Sequence, residues 1–173
     1  MFISVITTLY HGEKYIDNLL KMINKNIYFC KSQNLEIQIE YILVNDYPIE
    51  KIEIENYIFD YMFHIKYYTN EINKGVHYSR VKGLENCSGK YILFLDQDDL
   101  IEEDYLYTQI TILGKSDLVI SNGYQKNAEF KVPIYKKQRT QLKLFNEKNF
   151  ILRSPIVSPG QCIIKRDIIP NEW

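Results

Sequence analysis

The run Tyr91-Ile92-Leu93-Phe94-Leu95-Asp96-Gln97-Asp98-Asp99 sets five consecutive apolar residues directly against three carboxylates in four positions. An apolar stretch this short, bounded by charge, reads as a strand buried on both faces, with the carboxylates emerging together at its C-terminal end. Like charges crowded at one strand end repel, and a carboxylate drawn partly out of water needs a partner to offset its desolvation. Folding alone asks for no such cluster. A bound divalent cation is the simplest partner for it.

The rest of the chain alternates strand and helix patterns around this segment. Phe2 to Thr8 reads as a strand, and a helix follows from Gly12 to about Asn34 with Ile16, Leu19, Leu20, Ile23, Ile27 and Cys30 on one stripe. Ile37 to Val44 and His64 to Thr69 read as two further strands, whereas Lys51 to Phe59 fits a strand or a short helix equally well. Val76 to Cys87 is expected to be a helix with Val81 and Leu84 inward. A helix over Glu102 to Leu113 and a strand over Asp117 to Asn122 follow the acidic segment. Beyond Gly123 the pattern loosens: Ala128 to Tyr135 and Gln161 to Lys165 read as strands and Leu142 to Leu152 as a short helix. Lys136, Lys137 and Arg139 form a basic loop between them. Strands alternating with helices predict an α/β, three-layer, Rossmann-like sheet, mostly parallel, with helices on both faces.

At 173 residues and 46% hydrophobic, the chain has enough apolar surface for one core. Its net charge of −1 gives no basic footprint, so no nucleic-acid partner is expected. Cys30, Cys87 and Cys162 are odd in number and far apart, and His11, His64 and His77 are equally scattered. Neither a disulfide framework nor a zinc site is therefore expected. No apolar run approaches the roughly 20 residues of a membrane span. The expected setting is the cytoplasm, or a peripheral position at the inner face of a membrane.

In open parallel sheets, ligands bind beyond the C-terminal strand ends, where loops and helix N-termini converge. Four polar clusters fall at such ends: Thr7-Thr8-Leu9-Tyr10, Asn45-Asp46, Asn73-Lys74-Gly75 and Asp96-Gln97-Asp98-Asp99. Four clusters on one rim point to a single site. The phrases ISVITTLYHGEKYIDNLL, YILVND, NKGVHYSRVKGLENCSGKYILFLDQDD and IEEDYL resemble the nucleotide-binding half of family 2 glycosyltransferases, inverting enzymes of the A-type fold. The resemblance covers about residues 2 to 125, so residues 1–125 are expected to bind a nucleotide sugar and 126–173 to begin an acceptor-side region of the same domain.

The resemblance implies roles position by position. Thr8 and Tyr10 would lie against nucleobase and ribose, Asp46 would accept a hydrogen bond from the base, and Arg80 would support the loop beside the diphosphate. Asp96 and Asp98 would hold ribose and donor sugar, and Asp98 with Asp99 would reach a magnesium or manganese ion. Such ions take oxygen ligands, often one or two carboxylates with phosphate oxygens and water. The donor implied is a uridine-diphosphate sugar, and the acceptor a hydroxyl of a sugar, a lipid-linked chain or a protein. Inversion needs a carboxylate base, which the family carries on a helix beyond the stretch matching SPGQCIIKRDIIP; here the base is expected beyond Trp173, as in a truncated or interrupted enzyme. Asp117, Glu129, Glu147, Asp167 and Glu172 match no paired acidic motif.

Local sequence leaves other roles open. Asp99 with Glu102 fits a helix capping box, Asp46 before Tyr47-Pro48 fits an Asx turn, and Arg80 could pair with Glu85 or another nearby carboxylate. At the level of function, a nucleotide-sugar-binding module without catalysis is one alternative and a nucleotidyltransferase another. The second lacks a glycine-rich, basic phosphate loop after the first strand.

Overall fold

A computed structural model describes residues 1–57, 61–114, 116–126, 131–134 and 158–170. In chain order the elements are β1 (Phe2–Leu9), α1 (Glu13–Ser32), β2 (Gln38–Asn45), β3 (His64–Thr69), α2 (Val76–Glu85), β4 (Tyr91–Phe94) and α3 (Tyr105–Leu113). These are followed by β5 (Leu118–Ile120), β6 (Tyr124–Lys126), β7 (Lys131–Pro133) and β8 (Cys162–Lys165). A six-stranded sheet runs β3-β2-β1-β4-β8-β5, and β6 and β7 form a separate antiparallel pair. β1 pairs parallel with β2 and β4, and β2 parallel with β3, whereas β8 is antiparallel to both β4 and β5. The expected α/β, mostly parallel sheet is therefore present, with one reversed strand. The segment Lys51 to Phe59, open in the sequence, forms a short 3-10 turn over Ile54–Tyr57 within its described part. The basic loop and the helix expected over Leu142 to Leu152 lie outside the described residues, as does much of the strand expected from Ala128.

β4 is an interior strand, and its apolar run explains why. Ile92 and Leu93 point to opposite faces of the sheet and both are fully buried. On one face Val5, Tyr41 and Leu93 pack with the expected stripe of α1 and with Leu106, Ile110 and Leu113 of α3. On the other, Ile6, Ile42, Val44 and Ile92 form a smaller core covered by α2. On α2, Leu84 packs against this core as expected but only partly buried, Val81 is likewise half-buried, and the fully buried residues are Ser79 and Gly83. A methyl group at Gly83 would run into Ile6 Cγ2, so the helix lies almost directly on β1.

Two polar devices fix the elements that carry the rim. Glu40 on β2, 3% exposed, accepts from Ser4 Oγ, from the backbone N–H of Ser88 and Gly89, and pairs with Lys66 at 2.8 Å. This ties the turn before β4 to β1, β2 and β3. Burial alone would raise the Glu40 pKa, but Lys66, Ser4 and the two N–H donors together hold it below the usual carboxylate value. At α3, the capping box of Asp99 and Glu102 does not form. The helix starts at Tyr105, after Asp104, and the buried Asn26 of α1 serves its first turn instead, accepting from Leu106 N at 2.9 Å and donating to Glu102 O at 3.0 Å. One orphan N–H of the helix start, that of Leu106, is thereby satisfied from a neighbouring helix.

Helix propensity favours alanine over glycine by about 1 kcal/mol. At Gly83 the close approach to Ile6 reverses the sign, because overpacking costs roughly 1–3 kcal/mol. Gly83→Ala is expected to lower the midpoint of denaturant unfolding, and Gly83→Val to lower it further; a more stable Gly83→Ala protein would show that α2 can lift off β1 freely.

Candidate functional site

The C-terminal ends of β1, β2 and β3 lie side by side, with Leu9 opposite Asn45 and Asn45 opposite Thr69. Beyond them, a cavity of about 200 Å³ is lined by Thr8, Leu9, Tyr10, Asp46, Asn73, Gly75 and Val76. Three of the four clusters expected on the rim therefore meet around one space. The fourth touches it through Gln97, whose side chain bonds the backbone of Tyr10.

Asp46 is 4% exposed and holds the far wall of this cavity. Its Oδ1 accepts from Asn70 Nδ2 at 2.7 Å and Lys74 N at 2.8 Å, and its Oδ2 accepts from Gly75 N at 2.8 Å. Burial raises its pKa, but these donors and the Ser79 hydroxyl outweigh burial and leave it below the ordinary value. The Asx turn read at this point is built by its neighbour: Asn45 Oδ1 accepts from Tyr47 N at 2.9 Å. Gly75, with φ of 87°, makes the bend into α2 that brings both its own N–H and that of Lys74 onto the carboxylate.

Tyr10 is 47% exposed and belongs to a cluster of three rings at the mouth. Its centroid lies 4.6 Å from that of His11 and 5.4 Å from that of Tyr47, both edge-on, while His11 and Tyr47 approach to 3.9 Å. His11 holds a left-handed backbone with φ of 49°, a conformation uncommon outside glycine that His, Asn and Asp adopt more readily than other residues. The loop is fastened on its other side by Glu50, whose Oε2 accepts from Gly12 N at 3.1 Å.

On the acidic side, Arg80 of α2 pairs with Asp96 at 2.6 Å, with both side chains about one third exposed. Of the partners considered for Arg80, Asp96 is the one it meets. Asp99 accepts from the Ser158 hydroxyl at the turn before β8. Burial pushes the Asp99 pKa up, Ser158 pulls it back, and the negative charges of Asp96 and Asp98 add to the rise. Asp98 is exposed and makes no hydrogen bond or ion pair with any described residue. Among the described residues no group of three or more His, Cys, Asp or Glu side chains forms a ready-made ion cage. The carboxylates present nevertheless fit a hard cation: the free Asp98 and the second oxygen of Asp99 offer the one or two oxygen ligands that magnesium or manganese takes when phosphates and water complete the shell.

Two of the downstream carboxylates can be located. Asp117 pairs with Lys165, and Asp167 follows Lys165, whose partner across the sheet is Tyr91 at the start of β4. Both therefore lie at the opposite end of the sheet from Asp96. Glu129, Glu147 and Glu172 are outside the described residues.

A family model for glycosyl transferase family 2 matches residues 4–171. The chain belongs to that family. An uncharacterized glycosyltransferase of Haemophilus influenzae is 36% identical over 122 residues, which is 70% of this chain and 46% of that protein. The glycosyltransferase GlyA of Streptococcus pneumoniae is 34% identical over 128 residues, 72% of this chain and 17% of its own length. Among solved structures, TarS 1-349 of Staphylococcus aureus in complex with UDP-GlcNAc superposes with a TM-score of 0.71 at 23% identity, covering 96% of this chain and 46% of that one. The chain thus spans less than half the length of these relatives. The TarS likeness agrees with the A-type fold of the family.

Around this cavity, the sequence does not reveal the residues that hold the expected ones. Asn70, Glu50, Gln97 and Ser158 each bond a loop distant in sequence, and only the separation of 24 to 87 residues being closed by the fold brings them into range. The sequence signal for Gln97 was its place inside the acidic run; for the others there was none. None of the described helices is long and apolar enough to cross a membrane.

Asp46 and Glu40 share one acid signature. A carboxylate whose pKa is lower folded than unfolded binds its proton more tightly in the unfolded chain, so acid favours unfolding. The stabilisation is present above the unfolded value of about 4 and is lost as pH falls through the lower folded value. Thermal unfolding followed from neutral pH downward is expected to show the midpoint falling below about pH 4. Asp46→Asn is expected to flatten that fall and to cost roughly 1.5–3 kcal/mol at neutral pH, the range for hydrogen bonds to a charged group.

Proposed function

We propose that this chain is the donor-binding part of an inverting glycosyltransferase that uses a divalent metal to move a sugar from a uridine diphosphate to a hydroxyl acceptor. The observation that carries the reading is the convergence of the cavity of Thr8, Tyr10, Asp46 and Gly75 with the acidic loop through Tyr10 and Gln97. One end offers rings and a cavity suited to a base, and the other offers carboxylates suited to a cation beside phosphates. Family membership supports glycosyl transfer as the chemistry, and the UDP-GlcNAc held by TarS motivates uridine diphosphate as the first ligand to test.

In this reading Tyr10 and Thr8 flank base and ribose, and Asp46 accepts from the base while it holds the 70–75 loop. Arg80 keeps Asp96 oriented toward the sugar end of the donor, a charge-assisted contact that neutralises one of the three crowded carboxylates. Asp98 and Asp99 would hold magnesium or manganese, which when bound neutralises the charge that grows on the departing diphosphate. Asp99 is steadied for that task by Ser158. The general base belongs to residues outside those described, since Asp117 and Asp167 face the wrong end of the sheet. The acceptor is a hydroxyl compound of the sugar, lipid-linked or protein class, and the similarity to one relative, the minor teichoic acid biosynthesis protein GgaB of Bacillus subtilis, favours polysaccharide assembly.

Calorimetric titration tests the reading directly. The chain is expected to bind uridine diphosphate more tightly with manganese than without, and Asp98→Asn is expected to lose that increment while remaining folded. Equal affinity with and without manganese in the unaltered chain would remove the metal from the proposal. Asp46→Ala separates base from phosphate: a loss of roughly 1.5–3 kcal/mol for uridine diphosphate with pyrophosphate unchanged marks base reading. Equal losses for both ligands would mean that Asp46 acts only by holding the loop.

A further inference from the structure

Gln97 stands between Asp96 and Asp98 in sequence, yet its side chain turns away from the carboxylates toward the opposite loop. Its Oε1 accepts from Tyr10 N at 2.9 Å and its Nε2 donates to Tyr10 O at 3.1 Å. One primary amide thus engages both backbone groups of one residue, as a neighbouring strand would. The fold makes room for this contact. A methyl group at Gly12 would lie 2.7 Å from Gln97 Oε1 and 2.8 Å from Leu9 Cβ, so the chain passes the amide at a distance only glycine permits.

The clamped backbone is the one that carries the ring cluster. Immediately after Tyr10 the chain enters the left-handed conformation of His11, φ 49°, and then the Gly12 N–H that Glu50 holds. A non-glycine residue kept there persists only when its surroundings over-determine it. Gln97 on one side and Glu50 on the other supply that constraint, and the packing of Tyr10 against His11 and Tyr47 depends on it.

We infer that Gln97 is a positioning residue for the nucleobase end of the site rather than for the metal end: its amide fixes Tyr10 and thereby sets discrimination between a nucleoside diphosphate and a bare diphosphate. The inference rests on the reading of the cavity under Proposed function. It runs against sequence position, which groups Gln97 with the carboxylates.

The test compares uridine diphosphate and pyrophosphate, each titrated with manganese against the 173-residue chain and its variants. Gln97→Met preserves length and removes both hydrogen bonds. It is expected to weaken uridine diphosphate about tenfold, the scale of losing one to two neutral hydrogen bonds' worth of ordering, with pyrophosphate within twofold of the unaltered chain. Gln97→Glu keeps the acceptor for Tyr10 N and loses the donor. Its ratio of the two affinities, from which most of the effect of the added charge on two diphosphate ligands divides out, is expected to fall below that of the unaltered chain, because a carboxylate oxygen then faces Tyr10 O. That ratio also decides the matter should the methionine variant fail to fold. Equal weakening of both ligands in Gln97→Met, or an unchanged ratio in both variants, would overturn the inference and return Gln97 to the metal end or to the surface. Failure of the unaltered chain to prefer uridine diphosphate over pyrophosphate is a different result: it overturns the base-binding reading itself, and this inference with it.

Discussion

Parallel pairing of β1 with β2 on one side and β4 on the other decides where everything else in this protein sits. Because the three strands run the same way, their C-terminal ends open at one edge of the sheet, and the polar residues that follow each strand gather there. The pairing is set by burial on both faces. A strand such as Tyr91-Ile92-Leu93-Phe94 cannot sit at the rim of the sheet without exposing apolar side chains to water, at a cost of roughly 1.5–3 kcal/mol for each large one. Gly83 completes the constraint by letting α2 rest on Ile6, which fixes Arg80 within reach of Asp96.

The electrostatics divide between the two ends of the strands. At the start of β4, the buried Glu40 pairs with the partly exposed Lys66 and accepts from Ser88 and Gly89 N–H, which anchors the turn that delivers β4 to the sheet. At the far end, Asp96, Asp98 and Asp99 are crowded and only partly compensated: Arg80 engages the first and Ser158 the third, while Asp98 stays exposed. The contrast is what motivates the proposed cation site. Carboxylates that serve only folding are satisfied by the fold, as Glu40 is, whereas a carboxylate left open beside two others retains a surplus of negative charge that a cation or an incoming ligand can use.

Side chains that hold the site differ in kind from those expected to contact a ligand. Asp46 belongs to both groups, since its carboxylate organises the 70–75 loop through three hydrogen bonds while lining the cavity. Gln97 and Glu50 grip the loop of Tyr10 from opposite sides, and Ser158 reaches Asp99 from a segment that returns to the sheet long after the strand it serves. The antiparallel strand β8, inserted between β4 and β5, is what brings that segment back.

The sequence by itself determined the parallel strands, the long helix α1 and the gathering of Thr8, Tyr10, Asp46 and the Asp96 to Asp99 run on one rim, because periodicity and strand-end polarity are local signals. It also carried the family, through motifs whose order survives without any structure. Only the tertiary structure decided that β8 runs antiparallel, since apolar alternation reads the same in either direction. It also decided that Asn26 rather than Asp99 serves the start of α3, and that Ser79 and Gly83 are the fully buried residues of α2 while Leu84 packs only partly buried against the same core. Arg80 found Asp96, and Gln97 found Tyr10, for the same reason: a hydrogen bond between residues far apart in sequence depends on loop closure across the whole sheet, and no residue's identity specifies which distant partner that closure will bring within 3 Å.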